Sequence, residues 1–585
     1  MRGRPAVTSN AVGRRKRPIC LRLGGSDVKA YISGLAKSFS AVGLLAGILF
    51  FAASLTPSLM PRSYLVQGAL SGFSAALGYG VGVAAVWLWR YLEIPVPHAR
   101  AHTTVRWIAI TLSVGTAGVF LWKAAEWQNT VRSLMGLGPV DSVEPIELAA
   151  IALVIFLVVI VLARLFRQTV RLFSRVVNRI VPRRVSKVVG GVLALVLFWS
   201  VAQGVLFKVV LRMVDTSFRE LDARIDDGLT RPSNPAKPGG PGSVLDWQDL
   251  GRQGRAFIAS APTGAQIGAF FNAKALDPIR VYVGLNSAET VDERARLALE
   301  ELKRDGGFQR SALIVVVPTG TGWVDPEGID TVEYLHHGDV ASVAMQYSYL
   351  SSWLSLLVEP GYGAEAGQAL FREVYRYWST LPRGSRPKLY LHGLSLGAMN
   401  SELSTHLYDI IGDPFQGALW SGPPFQSRIW NSVTADRNPG SPAWLPRFRD
   451  GAIIRFTNQN NSLNIPGADW GPIRIVYLQY ASDPVTFFDF HALYREPEWM
   501  KNPRGPDVSP SLRWMPGVTM LQLLFDMAIA TTSPMGYGHV YAPEHYIDGW
   551  IAVTDPQGIE PADISRLKAF FFERSRSIGY PPPSD

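Results

Sequence analysis

Five apolar stretches follow one another in the first part of this 585-residue chain: Phe39 to Leu59, Tyr64 to Trp89, Trp107 to Trp122, Leu148 to Ala163 and Val188 to Phe207. A bilayer core of about 30 Å asks for about 20 residues of helix. Five such runs bounded by charged residues predict an all-α transmembrane domain of about five helices. The third and fourth are short for a crossing unless Arg106, Lys123 and Arg164 extend their side chains to the interfaces. Charge divides the chain at the same place. Residues 1–212 hold 25 Lys and Arg against 6 Asp and Glu, whereas the rest holds 32 against 41. The net charge of +10 therefore belongs to the membrane part. An acidic second part without a stripe of basic and aromatic residues argues against nucleic acid as a partner.

The basic residues collect in alternate connections. Nine lie in the N-terminal tail, including Arg14-Arg15-Lys16-Arg17. Arg90, Arg100 and Arg106 follow the second run, and eight more, from Arg164 to Lys187, follow the fourth. The other connections hold Arg62, then Lys123 and Arg132; Lys208 and Arg212 run against the pattern. The positive-inside rule then places the N-terminus in the cytoplasm. Five crossings of the plasma membrane put the second part on its extracytoplasmic side. The predicted organisation is a basic tail (1–37), a transmembrane domain (38–212), a stalk and linker (213–243) and a catalytic domain (244–585). The stalk rests on Val214, Phe218, Leu221 and Ile225 at helical spacing, and the linker on four prolines and three glycines between Thr230 and Ser243. The tail's single cysteine, Cys20, leaves the second part without disulfides. Gly68, Gly72, Gly78, Gly80 and Gly82 in the second run suit close packing of helices within the domain.

The second part alternates strand-like and helix-like segments, as a mostly parallel sheet with flanking helices does. Strands are expected at Arg280 to Val283, Ala312 to Val317, Val340 to Gln346, Lys388 to His392, Ala452 to Thr457 and Ile473 to Tyr480. The fourth runs into Gly393-Leu394-Ser395-Leu396-Gly397 and then into a helical segment. That is the context of a nucleophile elbow: serine on a strained strand-to-helix turn, with small residues two before and two after it. Ser395 is the expected nucleophile, and the N–H of Leu396, at a helix N-terminus, one half of an oxyanion hole. The Gly-rich loop Pro318-Thr319-Gly320-Thr321-Gly322, at the end of another strand, is expected to supply the other half from Thr319, Gly320 or Thr321. Its glycine spacing fits neither a phosphate loop nor a dinucleotide fingerprint.

Hydrolases of this kind place the acid and the histidine after the serine. Asp483 turns off the end of the last strand, with Asp489 and Asp450 as alternatives. His539 stands in the loop Ser533-Pro534-Met535-Gly536-Tyr537-Gly538 before a helix opened by Pro543, with His545, inside that helix, as the alternative to it as base. No cofactor or metal is expected, since His336-His337 has no third spaced ligand and suits a surface position. Between Asp483 and His539 lies a long apolar excursion that includes Phe487, Phe488, Phe490, Trp499, Trp514 and a helix from Val518 to Ala530. It suits a cap over the site or ordinary core filling.

The membrane region, Thr319-Gly-Thr-Gly-Trp-Val324, the Ser395 elbow, and Gly538-His-Val-Tyr541 followed by Tyr546-Ile-Asp-Gly-Trp550 together resemble the bacterial membrane-anchored α/β-hydrolase family, from about Gly34 to Pro556. The resemblance implies an α/β-hydrolase fold and a Ser395, Asp483, His539 triad. The expected activity is that of a serine hydrolase acting on an ester or thioester of a lipid-like substrate at the membrane. An envelope acyltransferase that uses the same acyl-serine, and a catalytically silent scaffold, are the alternatives.

Overall fold

A computed structural model of the chain describes residues 39–95, 99–201, 204, 221–226, 228–350, 352, 355, 361–405 and 407–577. The basic tail with Cys20, most of the stalk and the end of the fifth apolar run lie outside the described residues.

Five helices build the first part: α1 (Ala41–Ser54), α2 (Tyr64–Tyr91), α3 (Ala99–Leu134), α4 (Pro145–Val177) and α5 (Arg183–Ser200). Three of them, α2, α4 and the Trp107–Leu134 stretch of α3, are long and apolar enough to cross a membrane. The lengths reverse the expectation. The first run gives only 14 residues of helix, about 21 Å, because Pro57 lies just beyond Leu55 and disfavours helix at Thr56. The third and fourth, expected to be short, continue past their apolar stretches to 36 and 33 residues. Small residues bring the helices together. A Cβ on Gly72 would lie 2.7 Å from the carbonyl oxygen of Ala152 in α4, and one on Gly82 would lie 2.7 Å from Cα of Gly43 in α1. Gly80 faces open space.

The second part is a seven-stranded, all-parallel sheet of order β1-β3-β2-β4-β5-β7-β6. The strands are β1 (Ile279–Val283), β2 (Ala312–Val317), β3 (Val340–Met345), β4 (Lys388–Leu394), β5 (Gly417–Ser421), β6 (Ile454–Thr457) and β7 (Arg474–Leu478). β2 and β3 are buried along their whole length, which is why they read as continuous apolar runs rather than alternating ones. Six strands stand where the sequence places them. The seventh, Gly417-Ala-Leu-Trp-Ser421, was not among the expected strands, although it pairs directly with β4. Helices α6 (Val291–Arg304), α7 (Pro326–Leu335), α8 (Tyr362–Thr380), α9 (Leu396–Glu402), α10 (Val518–Ala528), α11 (Pro543–Thr554) and α12 (Pro561–Ser577) follow in chain order. Helices α6, α8 and α9 pack with one another and α7, α11 and α12 form a second group, with strands of the sheet contacted by both.

Two segments differ from their expected roles. The Pro/Gly-rich linker is folded onto α6: the Ser243 hydroxyl donates to Glu301 Oε1 at 2.6 Å, and Arg304 Nη1 donates to the Pro235 carbonyl at 2.6 Å. Helix α10 does more than fill the core, which Leu523 joins and against which Met520 and Met527 pack. It docks on α1 and α2, where Asp526 accepts from Arg62 Nε at 2.8 Å, from the Leu59 N–H at 3.0 Å and from the Ser58 hydroxyl. The Arg62–Asp526 pair is fully buried.

Candidate active site

All the site residues gather at the C-terminal edge of the sheet, where parallel strands present their ligand-binding loops. Ser395 ends β4 and begins α9 with φ 56° and ψ −124°, a backbone region that non-glycine residues occupy at a cost of about 1–3 kcal/mol. Two close approaches hold it there. A Cβ on Gly393 would lie 2.3 Å from the carbonyl carbon of Gly397, and one on Gly397 would lie 2.2 Å from the carbonyl oxygen of Val317 in β2. Only glycine fits either position. The Ser395 N–H donates to the Ser421 carbonyl at the end of β5, 2.9 Å away.

Asp483 follows β7 and opens a short turn of helix at Pro484, whose proline suits that first position. Its carboxylate is fully buried and richly bonded. Oδ1 accepts from the Val485 and Thr486 N–H groups at 2.8 and 3.4 Å. Oδ2 accepts from the Thr486 hydroxyl at 3.1 Å, the Tyr541 hydroxyl at 2.7 Å and His539 Nδ1 at 2.7 Å. With Nδ1 bonded to a carboxylate the proton sits on that nitrogen, leaving the Nε2 lone pair free. His539 Nε2 is buried and, among the described residues, has no hydrogen-bond partner. The histidine loop is fixed at both ends: the His539 N–H donates to the Ala530 carbonyl at 3.1 Å, and the Gly538 N–H donates to the Ser482 hydroxyl at 2.9 Å.

Gly422, one residue beyond the carbonyl that holds Ser395, sits beneath this histidine. A Cβ there would lie 2.8 Å from His539 Cε1 and 2.8 Å from the Tyr541 ring. Adjacent residues at the end of β5 thus support the serine and the histidine. The structure therefore brings Ser395, Asp483 and His539 to one edge, with Asp483 and His539 in direct contact. The alternatives go elsewhere. Asp489 bonds His491 at 2.7 Å, and the Asp450 carboxylate takes the Ala452 N–H. His545 lies inside α11 against the Tyr480 hydroxyl at 2.6 Å, and burial pulls its pKa down to about 4.

The proposed oxyanion donors are unequal. The Leu396 N–H opens α9 and finds no acceptor among the described residues. Thr319 departs from the expectation, because its N–H already donates to the Trp323 carbonyl at 2.9 Å, closing the Gly-rich turn on itself. Gly320 donates to the Ser352 hydroxyl at 3.3 Å, a long bond that a better acceptor can displace. Thr321 N–H is left without an acceptor among the described residues.

The chain matches a family model described as an alpha/beta-hydrolase family over residues 279–567. A second model, the N-terminus of an alpha/beta-hydrolase family, matches residues 55–262. The chain belongs to an α/β-hydrolase family. No curated protein and no solved structure matches it. The second family model includes α2 to α5.

Three of this hydrolase's site residues escaped the sequence reading. Ser421 ends the unexpected strand β5, and Gly422 follows it directly. Tyr541 stands two residues after His539, in the Gly-His-Val-Tyr motif, and its side chain reaches the same carboxylate. Burial first, and then the charge of Asp483, push the Tyr541 hydroxyl well above its ordinary pKa and keep it a donor. His336 and His337 are half-buried rather than on the open surface, and His336 Nε2 meets the Thr554 hydroxyl at 3.0 Å. Among the described residues no cluster of three or more His, Cys, Asp or Glu side chains could hold a metal ion.

Proposed function

We propose that this α/β-hydrolase is a membrane-anchored serine hydrolase that opens carboxylic ester or thioester bonds of a lipid-like acyl substrate on the extracytoplasmic face of the plasma membrane. One observation carries the chemistry. A serine strained at φ 56° shares the end of β5 with a histidine whose Nδ1 is bonded to buried Asp483 and whose buried Nε2 has no hydrogen-bond partner among the described residues.

The Ser395 hydroxyl attacks the substrate carbonyl while His539 Nε2 takes its proton. Asp483 stabilises the imidazolium, and the Tyr541 hydroxyl fixes the carboxylate oxygen that faces it. The tetrahedral oxyanion is held by the Leu396 N–H at the helix N-terminus and by an N–H of the Gly-rich loop, with Thr321 the donor free to turn. Collapse expels the alkoxide or thiolate, which takes the proton from His539. Water, deprotonated by the same nitrogen, then releases the acid and restores Ser395.

The membrane setting rests on α2, α3 and α4, and the orientation on the basic residues at the α2–α3 and α4–α5 connections, opposite the end where the hydrolase docks.

A membrane-impermeant fluorophosphonate applied to intact cells tests nucleophile and orientation together. Wild-type protein should label, Ser395→Ala should not, and His539→Ala should label at least 100-fold more slowly. Labelling only after lysis reverses the orientation. Absence of labelling in both, with folded protein present, sinks the serine mechanism.

A further inference from the structure

Helix α10 is inside-out for a segment of a domain bathed in water. Its polar residues Thr519, Gln522 and Asp526 lie on one face and are all buried. Each is satisfied. The Thr519 hydroxyl accepts from the Met515 N–H at 2.8 Å, Gln522 Nε2 donates to the Thr56 carbonyl at 3.0 Å, and Asp526 holds Arg62, Leu59 and Ser58. Val518 and Leu523 are buried beside these polar residues and Met520 packs against the core, while the opposite face carries Leu521, Leu524 and Phe525 without a charge. Leu524 is 42% exposed; beside it stand Phe490, 63% exposed, and Leu493, 44% exposed. The Leu493 carbonyl accepts the Gly517 N–H at 2.9 Å. Polar groups turned inward and satisfied, with apolar groups turned outward, is the low-energy arrangement where the solvent is hydrocarbon.

The position of α10 agrees. Its Phe525 ring lies 5.9 Å from that of Phe73, and a Cβ on Gly517 would lie 3.0 Å from Leu77 and 3.6 Å from Phe50. Gly68 meets Leu148 and Ile151, and Gly72 meets Ala152 and Ile155. Helices α2 and α4 therefore run parallel, and the apolar run of α4 begins level with Gly68. Trp87, Trp89 and Tyr91 with Arg90 form an interfacial belt at the other end of α2, about 20 residues and about 30 Å away. Phe73 and Leu77 then lie about 8 and about 13 Å inside the hydrocarbon boundary, within one leaflet.

We propose that the outer face of α10, with Phe490 and Leu493, is immersed in the acyl region of the leaflet on the hydrolase side, so that the acyl chain of a membrane lipid reaches Ser395 laterally from the bilayer. An aromatic path joins the two places. The Phe490 ring lies 4.7 Å from that of Phe488, which lies 4.9 Å from that of Phe425. Phe425 follows the Gly422 that supports His539, and its N–H donates to the Val485 carbonyl at 3.0 Å, two residues beyond Asp483. Exposed Arg495 at the rim is long enough to reach head groups. The acyl route rests on the serine mechanism proposed above; the immersion does not.

Nitroxide labels at Leu524→Cys and, separately, Leu493→Cys, in full-length Cys20→Ser protein reconstituted into phosphatidylcholine and phosphatidylglycerol vesicles, test the immersion without any turnover. Val158→Cys on α4 serves as the lipid reference and Tyr408→Cys, at a 90% exposed position, as the aqueous one. Collision with oxygen should exceed collision with a nickel chelate severalfold at both test sites, as at Val158→Cys. Nickel access equal to that at Tyr408→Cys, or exclusion of both reagents by covering protein, overturns the proposal. For the route, wild-type protein should cleave a long-chain acyl ester in these vesicles at least 10-fold faster than its short-chain soluble analogue. Equal or reversed rates, with Ser395 still labelled by fluorophosphonate, refute lateral access alone, whereas loss of labelling refutes the serine mechanism.

Discussion

Replacing Ser395 by glycine should stabilise the protein relative to replacing it by alanine, although both changes abolish the reaction. Neither variant has a hydroxyl, so the comparison isolates the Cβ. At φ 56° and ψ −124° a Cβ costs about 1–3 kcal/mol. Glycine gives back about 0.4–1 kcal/mol through the greater freedom of the unfolded chain. The net gain of Ser395→Gly over Ser395→Ala is therefore about 1 kcal/mol, within about 0–2.6 kcal/mol. Domains of 150–250 residues move about 2–4 °C per kcal/mol, and larger ones less, so a rise of about 1–3 °C in the midpoint is expected. Differential scanning fluorimetry of the two variants in one detergent measures it. A midpoint for Ser395→Gly equal to or below that of Ser395→Ala would mean that the turn does not hold its serine in this geometry, and the account of an activated, strained nucleophile would fail with it.

Gly397→Ala should slow fluorophosphonate labelling by about 100-fold, because a Cβ 2.2 Å from the Val317 carbonyl must displace the elbow by about 1 Å; unchanged labelling would contradict the close approach. Asp526→Ala strips Arg62, Ser58 and Leu59 of their acceptor and leaves a buried guanidinium unpaired, a loss of about 3–5 kcal/mol. Chemical unfolding in micelles should show it, and a change below about 1 kcal/mol would argue against a buried pair. Glu402, at the end of α9, takes the Tyr477 hydroxyl at 2.8 Å, and burial raises its pKa from 4.5 to about 7. Because the folded value is the higher one, the folded state holds more protons between pH 4.5 and 7, and this contribution to stability is lost as pH rises through that window. The stability of Glu402→Gln minus that of wild type should therefore climb from pH 4.5 to 7 and then level off, by at most about 1.4 kcal/mol per pH unit; a flat or falling difference would refute the assignment.

The elements legible in the sequence were those whose constraint is local. The nucleophile elbow needs only five residues and a strand before them, and Asp483-Pro484 marks its own turn. Strand β5 was not legible, since Gly417 and Ser421 at its ends hide three apolar residues between loop-like neighbours. What identifies it is pairing with β4 and β7, which no local pattern shows. Ser421 and Gly422 were missed with it. Tyr541 was not legible either, because His539 sits in a turn closed by the Val540 N–H on the Tyr537 carbonyl, where no alternation shows which side chains converge. Helix α10 was read correctly as a helix that buries one face, Leu523 joining the core, but its docking on α1 and α2 was not legible. The residue that decides its role, Arg62, is 464 positions away.

That distant pairing also gives a reason for the long excursion. Asp483 and His539 meet at 2.7 Å although 56 positions separate them, far more than a loop between two bonded residues needs. Left unstructured, closing such a loop would cost about 3.6 kcal/mol in chain entropy and leave His539 poorly placed. Docking α10 through Asp526 removes most of that freedom, for only three residues lie between Asp526 and Ala530, whose carbonyl holds the His539 N–H. The helix that grips α1 and α2 is thus also the last α-helix before the histidine, with only the 3-10 turn Ala530–Thr532 between them. A body of this hydrolase cut free at the linker should therefore retain its sheet while losing the fixed place of His539.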